Sequence, residues 1–322
     1  MSGCQRVQLT ILRRLIPGCR MEVRWEARNG DWMTRANLLS RLRSAGVRNI
    51  LVRNLISEFV GTFLLVFIGT CNVAQFHLGR EKTTTWIGVN IGWGFAIMFS
   101  VMATAKLSGG HLNPAVSILF WSFGHLPGLW LVLYSVVQTA GAFLAAMCMY
   151  LYYYEAFDQY DSGIRAIAGP TGTAVVFCSY PAPYLGYFTP YLDQIIGTGI
   201  LAYFLCVVID EKNKVPKVWH PMIFGFLVMM IGTAFGMNLG YPINPARDLG
   251  PRLFSVFTHG SGVFSTPYPS YFLAPIIGPL VGALFGGWLY QVSLGMHIPD
   301  DAGTRELEEP IQEQEEKLLE KP

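Results

Sequence analysis

The sequence predicts an all-α membrane protein with six transmembrane helices plus two half-membrane helices, arranged as an inverted repeat. Three observations carry that expectation. Of 322 residues, 52% are hydrophobic and 14% charged, a poor fit to a chain whose whole surface meets water. Charged side chains avoid long tracts: Thr83–Ala105, Pro127–Tyr154 and Leu253–Pro299 hold no Asp, Glu, Lys or Arg. Each tract can cross about 30 Å of hydrocarbon at ~1.5 Å per helical residue. Finally, Asn-Pro-Ala occurs twice, at Asn113 and Asn244, each time in an apolar stretch too short to span.

Uninterrupted apolar stretches give six spans in chain order: Leu55–Phe76, Trp86–Ala105, Pro127–Tyr154, Gln194–Ile209, Trp219–Met237 and Tyr271–Leu294. The two short segments, Leu112–Trp121 and Ile243–Phe254, fall in loops on opposite faces. About ten residues at ~1.5 Å make ~15 Å, half the hydrocarbon thickness, so two such helices can meet tip to tip at the midplane. Irregular backbone at that depth is tolerated where it is buried in protein or lines a polar cavity. The halves also repeat in order, Glu58-x3-Thr62 preceding the first triplet and Gln194-x3-Thr198 the second. Three spans per half invert the second copy, which places a site near the bilayer centre.

Charge divides the chain into three parts. Residues 1–54 carry eleven Arg against three acidic residues, and 300–322 nine acidic against three basic. The expected organisation is a basic cytosolic extension (1–54), a channel-like membrane domain (55–298) and an acidic cytosolic tail (299–322). The tails, Lys106 and the 210–218 loop hold 18 Lys and Arg against five in the opposite loops, which puts both termini in the cytosol. Nothing interleaves the leader's arginines with a nucleic-acid-binding unit, so no nucleic-acid partner is expected; contact with anionic lipid headgroups explains them. Glu306–Glu320 reads as a disordered acidic segment rather than a short helix. Six scattered Cys without a CxxC pair and six dispersed His indicate no disulfide framework, no metal site and no cofactor.

Asn is a favoured N-cap and Pro a favoured first helical residue. In each triplet the Asn oxygen can accept a backbone N–H of the following turn, which leaves its NH2 beyond the helix tip. Asn113 and Asn244 would then offer donors to an oxygen passing between them. Two helix N-termini, each roughly +0.5 charge, disfavour cations at that point and suit neutral oxygen-bearing solutes. A water that spends both lone pairs there cannot accept from its neighbour, so proton hopping should break. Arg247, at the third helical position of the second segment, is a cation that costs ~2.5–3.5 kcal/mol in lipid. It needs either a polar cavity or a carboxylate such as Asp248.

Ser108-Gly-Gly-His-Leu-Asn-Pro-Ala-Val116 and Asn244-Pro-Ala-Arg-Asp-Leu-Gly-Pro-Arg252 resemble the two signature loops of the major intrinsic proteins, over roughly Leu55 to Ile298. The resemblance implies a right-handed six-helix bundle with a pore in each protomer of a homotetramer. Asp248 after Arg247, with Arg252 four residues on, resembles the glycerol-conducting branch. By registration with the signature Asn residues, Trp93, Gly232 and Tyr241 join Arg247 at the constriction of that branch. Ring faces of Trp93 and Tyr241 would meet the CH groups of a polyol, while Arg247 and backbone carbonyls of Gly109–Leu112 and Gly240–Ile243 take its hydroxyls. The family uses a residue such as Glu58 to brace a half-helix loop; its counterpart here is Gln194, beside Asp193, where a second Glu is usual. His111 is expected to hold its loop. No Cys stands at position 241, where mercury-sensitive members carry one.

The implied function is passive passage of glycerol and water, with urea and other small neutral solutes as further candidates, through a multi-pass protein of the lipid bilayer, at the plasma membrane, without catalysis. A water-selective channel, an alternating-access transporter and a junctional scaffold are the rival readings. A cluster of ionisable residues for ion coupling would favour the transporter, but Glu58 is the one clearly internal carboxylate in the expected spans.

Overall fold

The computed structural model describes residues 46–299, together with Ser40 and Ser44. Most of the basic leader, with Cys4 and Cys19, and the tail from residue 300, with Glu306–Glu320, lie outside the described residues. Nine α-helices follow in order among the described segments: α1 (Ile50–Leu78), α2 (Trp86–Ser108), α3 (Pro114–Ser122), α4 (Gly128–Tyr152), α5 (Tyr154–Asp161), α6 (Thr189–Ile209), α7 (His220–Leu239), α8 (Pro245–His259) and α9 (Ala274–Ser293). The helices α1, α2, α4, α6, α7 and α9 are long and apolar enough to cross a membrane, as the sequence predicts.

Several boundaries differ from the expectation. α1 begins at Ile50 rather than Leu55, with Asn49 capping it by accepting the Val52 N–H at 3.1 Å. α6 begins at Thr189 rather than Gln194, because a helix continues through a polar residue such as Asp193 where an apolar run ends. The third span stops at Tyr152, and the expected loop from Glu155 opens with the separate helix α5. That helix is fixed by buried Asp161, which accepts from the Arg165 backbone N–H, its guanidinium and the Thr173 hydroxyl.

The second short helix, α8, reaches His259 instead of Phe254, so at ~1.5 Å per residue it is ~22 Å long. Its polar outer turn continues past the apolar run, and Gly260 at φ 82° ends it. α3 and α8 begin at their prolines, and Leu112 and Ile243 lie outside the helices at φ 54° and 40°. Left-handed backbone is rare for branched residues and marks a segment under external constraint.

Packing follows the internal repeat. α1 pairs with α2 and α4, and in the second half α6 pairs with α7 and α9, while α2 meets α7 across the middle. Each half-helix packs chiefly on the last span of the other half, α8 on α4 and α3 on α9. The α6–α9 contact is the closest: a Cβ at Gly286 would run into the Gly199 carbonyl. Small residues permit such backbone approach where hydrophobicity itself gives membrane helices no reason to associate.

Candidate functional site: a pore at the meeting of two half-helices

Each half-helix starts with the Asn cap that the triplet implies. Asn113 Oδ1 accepts the Ala115 N–H at 2.8 Å, and Asn244 Oδ1 accepts those of Ala246 at 3.0 Å and Arg247 at 3.2 Å. The amide nitrogens, however, are not wholly free as expected. Asn113 Nδ2 donates to the Ile243 carbonyl at 3.0 Å, and Asn244 Nδ2 donates to the Leu112 carbonyl at 2.8 Å. The left-handed turns at Leu112 and Ile243 aim those carbonyls across the seam. One N–H of each amide thus joins the two halves.

The same bonds shorten the expected stripes of free carbonyls. Leu112 and Ile243 spend theirs on the opposite Asn, while Gly109, Gly110, His111, Tyr241 and Pro242 are among the residues that line the cavity. That cavity, about 1610 Å³, runs from a mouth between Lys106, His125 and Lys217 past Asn113 and Asn244 to Trp93, Tyr241 and Arg247.

At its inner end the Arg247 guanidinium lies over the Trp93 ring, 4.8 Å from the centroid, within cation–π range. Arg247 Nη1 donates to the Phe177 carbonyl at 3.1 Å. Asp248, the alternative partner, is engaged elsewhere: it accepts from Ser179 N at 2.7 Å, Ser179 Oγ at 2.6 Å and Arg252 Nε at 2.9 Å. Arg252 also donates to the carbonyls of Val263 and Ser179. The Asp248–Arg252 pair therefore pins the 177–179 loop, and that loop holds Arg247.

Gly232 is buried behind Tyr241 and is not among the residues lining the cavity. A Cβ there would stand 2.5 Å from Tyr241 Cζ, so the glycine provides the recess that the ring fills. Gly69 does the same for the Trp93 indole. His111 is buried; its Nδ1 shares a hydrogen bond with Ser117 Oγ at 3.1 Å, and its ring stacks on Phe120.

Glu58 is fully buried and its carboxylate takes four donors: His111 N and Ser108 Oγ on Oε1, Leu112 N and Gln138 Nε2 on Oε2. Gln194 takes one backbone donor, Ile243 N, at 2.9 Å. The difference has a local cause. The residue before Ile243 is Pro242, which has no N–H, so one acceptor oxygen suffices. The Gln194 NH2 then donates to Asp193 Oδ2 at 2.9 Å. Gln194→Glu is accordingly expected to destabilise the protein by about 1–3 kcal/mol, since an oxygen would replace the donor facing Asp193. Thermal unfolding in detergent measures this, and adding Asp193→Asn should restore the melting temperature; a single variant as stable as the parent would contradict the assignment.

Sequence reasoning missed Gln138, Asn90, Gly69 and the Phe177–Ser179 loop. A lone amide in a charge-free span was the available signal for Gln138 and Asn90. Nothing in the pattern of the 155–193 segment distinguishes Phe177.

Two capped half-helices, joined through their Asn side chains beside a cavity that ends at Arg247, define a membrane pore. Residues 46–290 match the family described as major intrinsic protein, and the chain belongs to that family. It is 37% identical over 267 residues to aquaporin-10 of Homo sapiens, covering 82% of this chain and 87% of the relative. It is 35% identical over 256 residues to a glycerol uptake facilitator protein of Haemophilus influenzae, covering 78% and 97%. Among solved structures, the X-ray structure of the aquaglyceroporin from Plasmodium falciparum superposes with a TM-score of 0.69 at 30% identity, covering 76% of this chain and 97% of that one.

Proposed function

We propose that this protein is a passive channel for glycerol and water that excludes ions and protons. The observation that carries the reading is the constriction: an aromatic wall of Trp93 and Tyr241 beside Arg247. Apolar faces there suit the CH groups of a polyol, and the guanidinium and free carbonyls pair with its hydroxyls. Its similarity to an aquaporin and to a glycerol uptake facilitator supports the same solutes. Asn113 and Asn244 orient the permeant at the midplane, Arg247 and the two helix N-termini repel cations, and Glu58, Gln194, Asp248 and His111 hold the loops.

Urea is a third solute of matching size and hydrogen-bonding character. The chain functions as a homotetramer in the plasma membrane with both termini cytosolic, the 1–54 and 299–322 segments flanking the 55–298 channel; it moves solute down a gradient and catalyses no reaction. Purified protein in proteoliposomes should pass glycerol and water faster than empty vesicles, without saturation coupled to an ion gradient. Fast water flux with glycerol flux at the empty-vesicle level would identify a water-selective channel instead.

A further inference from the structure

Behind the constriction stands a residue that touches no part of the cavity. Asn90, on α2 one turn before Trp93, is fully buried, and its Oδ1 accepts the Tyr241 hydroxyl at 2.6 Å. Its Nδ2 reaches Thr233 Oγ1 on α7 at 3.4 Å. Tyr241 itself belongs to the irregular loop before Asn244, at φ 43°, so no helix fixes its ring. Its side chain is positioned from three sides: the recess at Gly232, the Trp86 ring edge-on at 5.9 Å, and Asn90 at the hydroxyl end.

We propose that Asn90 is a positioning residue for solute selectivity, which draws the Tyr241 ring back over Gly232 and keeps its hydroxyl out of the lumen. Resting on the glycerol-channel reading, the inference adds that the width and polarity of the slot depend on a bond outside it. With the tether in place, Tyr241 offers a polyol an apolar ring and no competing donor, and the slot stays wide enough for a three-carbon chain. Without the tether, whichever partner is removed, the outer end of the ring loses the one hydrogen bond that holds it back. The ring then swings into the lumen and narrows the slot. Glycerol, which is wider than water, then loses more than water does.

The test is the ratio of glycerol to water permeability in the same proteoliposomes, which cancels channel number and hence folding yield. Asn90→Ala is expected to lower the ratio about three- to tenfold, the factor to which one net hydrogen bond corresponds. Tyr241→Phe, which keeps the ring and removes the bond, should lower it similarly. The double variant should be no worse than either single one, because both remove the same interaction. A wild-type ratio in Tyr241→Phe, or a double variant whose ratio falls by the product of the single effects, would overturn the assignment. Should Asn90→Ala fail to reach the membrane, Tyr241→Phe decides alone. Absence of glycerol flux in the unmodified protein would instead sink the glycerol-channel reading on which the inference rests.

Discussion

Glu58→Leu is expected to abolish conduction of both water and glycerol and to deplete the protein from membranes. The carboxylate accepts from two consecutive backbone N–H groups, a hydroxyl and an amide, all buried. Leucine fills a similar volume and satisfies none of them. Each buried donor deprived of its acceptor costs about 1–3 kcal/mol, so the four together rival the whole stability of an ordinary domain, about 5–15 kcal/mol. The damage is also local to function, since His111 and Leu112 are the residues whose backbone leads into Asn113, and Leu112 supplies the carbonyl that Asn244 takes. Glu58→Gln, which keeps one acceptor oxygen, should be intermediate. Quantifying membrane-inserted protein alongside stopped-flow water and glycerol flux separates loss of fold from loss of pore. Near-normal flux through Glu58→Leu would show that the loop stands without its brace.

Arg247→Ala should keep water flux and admit cations or protons. The guanidinium is the charged group at the cavity's inner end, held between the Phe177 carbonyl and the Trp93 ring. At about 4 Å and an effective dielectric near 20, a unit charge repels a like charge by about 4 kcal/mol, which is nearly a thousandfold in flux. The two helix N-termini keep part of the barrier, roughly half a charge each, so the expected rise lies between about tenfold and a thousandfold. A pH-sensitive dye trapped in proteoliposomes measures it. Proton entry identical in variant and parent would remove Arg247 from ion exclusion and leave the barrier to the helix termini.

Much of this arrangement is legible in the sequence because membrane helices announce themselves by composition and the two Asn-Pro-Ala triplets announce themselves by chemistry. The caps at Asn113 and Asn244 follow from residue type alone. What the pattern cannot carry is contact between distant segments. The bonds from Asn113 to Ile243 and from Asn244 to Leu112 depend on two left-handed turns whose sequences, Leu and Ile, give no hint of that conformation. Gln194 reads as a departure until Pro242 is set opposite it, when the missing acceptor and the missing N–H cancel. Gly232 was identifiable by its position, but its purpose lies in the volume Tyr241 takes. The length of α8 and the presence of α5 escape an apolar-run criterion because polar turns extend helices beyond hydrocarbon.

The crosswise seating of α3 on α9 and α8 on α4 means that neither repeat is complete as a unit. A lone repeat would expose the seat of a missing stub and carry a stub with no seat, and both defects vanish when it meets a copy facing the other way. Each half thus closes the other, and the conduit between them is lined by that mutual closure.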